Sequence, residues 1–341
     1  MTSFLPAVPL IAAPMAGGVS TPQLVAAVSG AGGLGFLAAG YRTAGAMAER
    51  IARTRELTDR PFGVNLFVPG PPADLAAVAA YRSRLLPEAD AWNVTLPSAI
   101  PPDRDDWDAK LVALIADPVP CVSYTFGLPT RAEADAVRAA GSAQIGTVTT
   151  PDEARAAAAL GLDALTVQGP EAGGHRATHR ADDEPGTLPL LPLIAAVREV
   201  TDLPLIAAGG IADGRGIAAA LRAGAAAVQL GTAYLRTDES GATETHRRAL
   251  REFGATTVTR AFTGRPARGL RNAFIDRHDA HAPAAYPEVH HLTAPLRAAA
   301  ARLGDPEAMH LWAGTGHRLA RGGSAADLTR ALWREATSLT R

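Results

Sequence analysis

Short apolar runs alternate with alanine-rich stretches from the start of the chain to about residue 232. The runs are PLIAAPM (9–15), LGFLAAG (34–40), FGVNLFV (62–68), PCVSYTF (120–126), SAQIGTV (142–148), ALTVQG (164–169), PLIAAGG (204–210) and AAVQLGT (226–232). Most are continuously apolar, the pattern of strands buried on both faces of a parallel sheet. Helix start signals lie between them. In STPQLVAAVSGAGG, Ser20 or Thr21 is an N-cap candidate, with Pro22 in the first turn and Gly30 near the end. TTPDEARAAAALG repeats the scheme with Thr150, Pro151 and Gly161, and Asp213 caps ADGRGIAAALRAGA. Eight strands, each but the last followed directly by a helix candidate, predict an α/β fold, a (β/α)8 TIM barrel, over an open doubly wound sheet.

After residue 232 the alternation stops. SAADLTRALWREATSLT (324–340) reads as the closing helix of the barrel. The expected organisation is therefore a barrel formed by 1–232 plus 324–341, with a cap at 233–323 inserted between strand eight and helix eight. A smaller excursion at 68–119 is long for one helix connection and carries a Pro-rich loop, NVTLPSAIPPDRDDW, over the same end of the barrel.

Composition narrows the chemistry. The 341 residues are 47% hydrophobic and carry a formal net charge of -1, so no electrostatic footprint for nucleic acid or an anionic membrane is present. Cys121 is the sole cysteine, which leaves no disulfide framework and no thiolate metal cluster. The amino terminus lacks the basic region of a signal peptide, and no apolar run approaches the ~18 residues of a membrane span. A cytoplasmic protein without membrane or nucleic-acid partners is the expectation. Lys110, the sole lysine, lies in a helix-like stretch rather than at a strand end, which disfavours Schiff-base chemistry.

Strand carboxyl ends carry the functional groups of a barrel. Gly209 and Gly210 end the seventh predicted strand, and Gly231 with Thr232 ends the eighth, where barrels often bind phosphate through bare backbone. Asn65 and Gln168 end the third and sixth, and amides that both donate and accept suit the edge of a flavin ring. His175 follows Gly173 and Gly174 in the loop after the sixth, placed to act as acid, base or charge stabiliser. The other histidines read as incidental, and the pair His290–His291 lacks zinc-ligand spacing. GAGGLG (30–35) has the spacing of a dinucleotide fingerprint but closes a helix and opens a strand, so it reads as a turn.

Taken together, APMAGGVSTPQLVAAVSGAGGLGFL, FGVNLF, VSYTFGLP, QGPEAGGHRATH, PLIAAGGIADGRGIAAALRAGAAAVQLGTAYL and TGRPARGLRN resemble nitronate monooxygenases, formerly 2-nitropropane dioxygenases, of the bacterial class I branch. The resemblance runs over essentially the whole chain. It implies an FMN-binding barrel that oxidises a nitronate or nitroalkane with oxygen to a carbonyl compound and nitrite. It implies FMN contacts from Asn65, Gln168, Gly173 and Gly174, and a phosphate cradle from Gly209, Gly210, Gln229, Leu230, Gly231 and Thr232. Pro14 and Met15 would line the ring, His175 matches the catalytic histidine, and Tyr124 falls at the aromatic pocket position. Ala177 departs from the family's usual glycine after HR. No metal is implied, and the chain is compatible with a homodimer. An NAD(P)H:quinone or enoyl-thioester reductase on the same barrel is the nearest alternative. A flavin-free isomerase or lyase of sugar phosphates is the remote one, and a non-catalytic flavin-binding role a third.

Overall fold

The structure is a computed structural model that describes residues 4–339; residues 1–3 and 340–341, which the expected boundaries included, lie outside it. The eight apolar runs form β1 (Leu10–Ala12), β2 (Leu34–Ala38), β3 (Phe62–Phe67), β4 (Cys121–Thr125), β5 (Ala143–Val148), β6 (Ala164–Gln168), β8 (Leu205–Ala208) and β9 (Ala227–Leu230). Between β6 and β8 lies a short extra strand, β7 (Gly174–His175), outside the barrel. The eight long strands pair in parallel and close, β9 returning to β1 with Ala12 opposite Leu230. The chain thus folds as a (β/α)8 barrel.

Local signals place its helices. Thr21 caps Pro22–Gly30 by accepting the N–H of Leu24, Thr150 caps Pro151–Ala159, and Asp213 caps Gly214–Arg222. Ser20 instead accepts the N–H of Met15 at 2.8 Å and so shapes the loop after β1. Gly30 ends its helix ahead of β2, as expected for a turn rather than a nucleotide motif. The last helix, Ala325–Ser338, packs against both Pro22–Gly30 and Gly214–Arg222 and completes the helical ring.

Strand alternation sorts the side chains into layers. Ile11, Phe36, Cys121, Ile145, Ala164, Ile206 and Ala227 meet inside the barrel as its floor. Residues of opposite parity, such as Val122, Tyr124, Val167 and Leu230, join the larger core between strands and helices. Burial among apolar neighbours pushes the Cys121 thiol well above its ordinary range, so it is inert.

A second core lies beyond the strand carboxyl ends. It joins Val78, Tyr81 and Leu85 of the helix Leu75–Ala91 to residues between Leu235 and Ala313. Tyr81 Oη donates to the carbonyl of Ala261 at 2.8 Å, so the early excursion and the late insertion pack as one layer over the barrel mouth. The insertion also contributes β10 (Thr256–Thr259) and β11 (Ala267–Leu270). β11 pairs antiparallel with β7, setting Ala267 opposite His175. Among the described residues no helix is long and apolar enough to cross a membrane.

Candidate active site

A cavity of about 590 Å³ opens over the floor, between the strand ends and the upper layer. Its barrel side is lined by inward positions one step above the floor, among them Asn65, Ser123, Thr147, Thr166 and Gln229. Pro14 and Met15 come from the loop after β1, Gly209 and Gly210 from the end of β8, Gly231 and Thr232 from the end of β9. Gln168, Gly173, Gly174 and His175 complete the barrel side. Nearly all the residues singled out in the sequence therefore meet in one place.

Two do not. Tyr124 is buried between β4 and the helices, where its hydroxyl donates to Gln144 Oε1 at 2.8 Å and its ring faces Trp107. Leu230 is likewise buried in the strand–helix core and is not part of the cavity wall. Each is one residue removed from an inward position, Ser123 and Gln229, and a one-residue step turns a strand side chain to the opposite face.

The amides behave differently from one another. Asn65 Oδ1 accepts from Ser123 Oγ at 2.8 Å and Thr125 Oγ1 at 3.0 Å, while Nδ2 has no partner among the described residues. Gln168 is used internally: Nε2 donates to the carbonyl of His175 at 3.0 Å, and Oε1 accepts the N–H of Ala177 at 2.9 Å. Its amide braces the His175 loop. Gly173 has a packing role as well, because a Cβ there would lie 2.4 Å from the backbone nitrogen of Gly314.

His175 is held on every side. Its Nε2 is 3.0 Å from Thr263 Oγ1, and the rings of Phe126, Tyr286 and Trp312 stand 5.5–5.6 Å away. Burial, with Arg265 and Arg297 nearby, pushes its pKa down to about 3. Arg265 covers the Phe126 ring at 4.1 Å. Arg297 lines the cavity, donates to the carbonyl of His290 at 2.6 Å, and pairs with no carboxylate among the described residues. Burial lowers Arg297 to about 10, still charged at neutral pH. Among the described residues, no Asp or Glu lines the cavity.

The upper wall was not found from sequence. His290 and His310, read there as incidental, face the cavity together with Tyr41, Thr263, Arg297 and Trp312. Burial first and Arg297 second depress both histidines far below the usual range. A signal existed: His290, Ala294, Arg297, Ala298 and Ala301 share one face of the helix Glu288–Leu303 at helical spacing.

A family model described as nitronate monooxygenase matches residues 1–335. The chain belongs to the nitronate monooxygenase family. A probable nitronate monooxygenase of Staphylococcus saprophyticus is 37% identical over 340 residues, 97% of this chain and 95% of the relative. One from Staphylococcus aureus strain Newman is 38% identical over 322 residues, 92% and 89% of the two chains. The crystal structure of a nitroalkane oxidase from Streptomyces ansochromogenes superposes with a TM-score of 0.95 at 53% identity, over 98% of this chain and 97% of that one. FabK from Thermotoga maritima gives 0.76 at 27% identity, covering 97% and 93%. As a nitronate monooxygenase family member, the protein is an oxidoreductase acting on nitronates or nitroalkanes.

Proposed function

We propose that this enzyme oxidises alkyl nitronates, propionate 3-nitronate among them, with bound FMN and oxygen, releasing a carbonyl compound and nitrite. The observation that carries the reading is the charge of the cavity, which holds the buried guanidinium of Arg297 and, among the described residues, no carboxylate. A buried cation without a counter-charge is costly, and an anionic ligand offsets that cost.

The residues present suit FMN. The cavity lies within the size range of cofactor sites, and Asn65 Nδ2 is a free donor at its wall. Gly209 and Gly210, at φ of 127° and 70°, expose backbone where a side chain would be strained. Asn65 would hold the ring edge, Pro14 and Met15 would line the ring, and Gly210, Gly231 and Thr232 would hold the phosphate. FMN supplies the electron acceptor; binding and orientation fall to the protein.

The protein's own residues then favour a substrate that has already lost its α-proton. A histidine at about pKa 3 is neutral at pH 7 but a weak base toward a C–H bond. His175 therefore holds a nitronate oxygen by hydrogen bond rather than abstracting a proton, with Thr263 fixing its ring and the Gln168 brace its backbone. Arg297 supplies the positive field, and Phe126, Tyr286 and Trp312 keep water from the reacting face.

Aerobic turnover, read by oxygen uptake and nitrite release, should be faster with propionate 3-nitronate than with 3-nitropropionate by about 100-fold or more, the size of a missing general base. Equal rates on the two, or rapid flavin bleaching by NADH or NADPH without oxygen, would overturn the reading.

A further inference from the structure

The excursion between β3 and β4 ends in a segment that the reaction as described does not use, and it contains the only lysine of the chain. Lys110 is 1% exposed, and its Nζ lies 2.7 Å from Asp105 Oδ2. The other oxygen of that carboxylate accepts the backbone N–H of Tyr41 at 2.7 Å. Tyr41 has a φ of 64°, in the left-handed region that a bulky aromatic residue rarely enters. Such a conformation persists only where its surroundings over-determine it.

The surroundings do so here. Asp106 accepts the N–H of Ala44 at 2.6 Å, on the far side of the same turn. Asp103 accepts the N–H of Asp105 at 2.7 Å and reaches His291 Nε2 at 2.8 Å with its other oxygen. Tyr41 itself faces the cavity, its ring stacked on His290 at 4.0 Å and 2° and its hydroxyl accepting from Tyr286 Oη at 3.1 Å. The segment thus grips the Tyr41–His290 stack from behind at both partners, through the backbone of one and the chain neighbour of the other. Lys110 and Asp105 are not part of the cavity wall.

We propose that the Asp105–Lys110 ion pair is a positioning device for the substrate cavity: it holds Tyr41 in its left-handed conformation and thereby fixes the Tyr41–His290 wall. The proposal rests on the reading of this cavity as the nitronate site. A buried pair is a weak source of net stability, because desolvation offsets the attraction, yet it tolerates little displacement. Tyr41 acts by shape and by its hydroxyl, and the pair acts only through Tyr41.

The test is a cycle between that pair and Tyr41. Asp105→Ala/Lys110→Met removes both charges together, so no unpaired charge stays buried. It should raise KM for propionate 3-nitronate by about 10-fold while kcat changes by less than about twofold, since a loosened wall away from the reacting groups weakens ground-state and transition-state binding alike. In a Tyr41→Gly background, glycine adopts the turn unaided and no ring remains to be placed. There the same double substitution should change KM by less than about twofold. Losses that multiply in full between the two sites would overturn the proposal, as would an unchanged KM with Tyr41 intact. Loss of thermal stability in both backgrounds is expected of any structural role, so the KM split decides. Asp105→Ser/Lys110→Met carries the same cycle, with the same two deciding results, if the alanine version does not fold. Nitrate binding, followed by isothermal titration calorimetry, gives the cycle without turnover. A wild-type enzyme that binds nitrate but does not turn over a nitronate would sink the reaction reading and leave the cycle decisive for the positioning role.

Discussion

His175 is buried among three aromatic rings, and that burial first, with the charges of Arg265 and Arg297 second, determines its pH behaviour. Its ring does not gain a proton until the pH approaches about 3. The profile of kcat/KM for a nitronate should therefore show no acidic limb near pH 6.5 arising from this residue. A limb there that vanishes in His175→Gln would contradict the assignment. His175→Ala should retain FMN and lose about 100-fold or more in turnover, the size of removing one oriented hydrogen-bonding group at a reacting centre. Near-normal turnover would remove His175 from the mechanism. How far residues could be read without the fold is shown by Ser123 and Tyr124. The resemblance implied Tyr124 for the pocket, but the parity of β4 turns Ser123 into the cavity and Tyr124 toward the helices. Aligning the strands by their inward positions makes that choice from sequence; a motif position carried over from a family does not.

At the scale of elements, the loop after β6 is positioned from outside the barrel. β7 pairs with β11, the N–H of Arg176 donates to the carbonyl of Pro266 at 2.7 Å, and Gly173 abuts Gly314. Gly173→Ala would press a methyl group into the backbone of residues 313–314. It should destabilise the protein by about 1–3 kcal/mol, the cost of overpacking. A thermal midpoint unchanged within about a degree would show that the contact is looser than the geometry requires. Local signals had marked the helix starts at Thr21, Thr150 and Asp213, because capping is decided within a few residues. The pairing of β7 with β11 joins segments nearly a hundred positions apart, and no local pattern announces it.

For the whole molecule, the carboxylate-free cavity collects histidines that are neutral in the folded state. His246, 8% exposed, is lowered by burial to about 4, and His175 to about 3. Unfolded, such rings take up protons near pH 6.5. Their folded pKa values lie below the unfolded ones, so the stability they contribute is present above pH 6.5 and lost as the pH falls toward 4. His246 alone should cost about 2 kcal/mol between pH 7 and pH 5. Urea unfolding at the two pH values checks this, and the His246→Gln variant should lose less on acidification than the parent. An equal loss in both would mean that other groups govern the acid limb.

The sequence by itself determined the barrel, its strand order and most of the cavity's barrel side. Continuous apolar runs, capping residues and glycines at strand ends are local facts, and a barrel converts strand ends into one neighbourhood. Only the tertiary structure decided which distant segments close the cavity from above. Tyr41, the helix Glu288–Leu303 that carries His290 and Arg297, and His310 come from separate stretches whose meeting depends on packing of the upper core. The same packing gives Arg297 its unpaired charge and His175 its neutrality, because both follow from which groups are buried side by side.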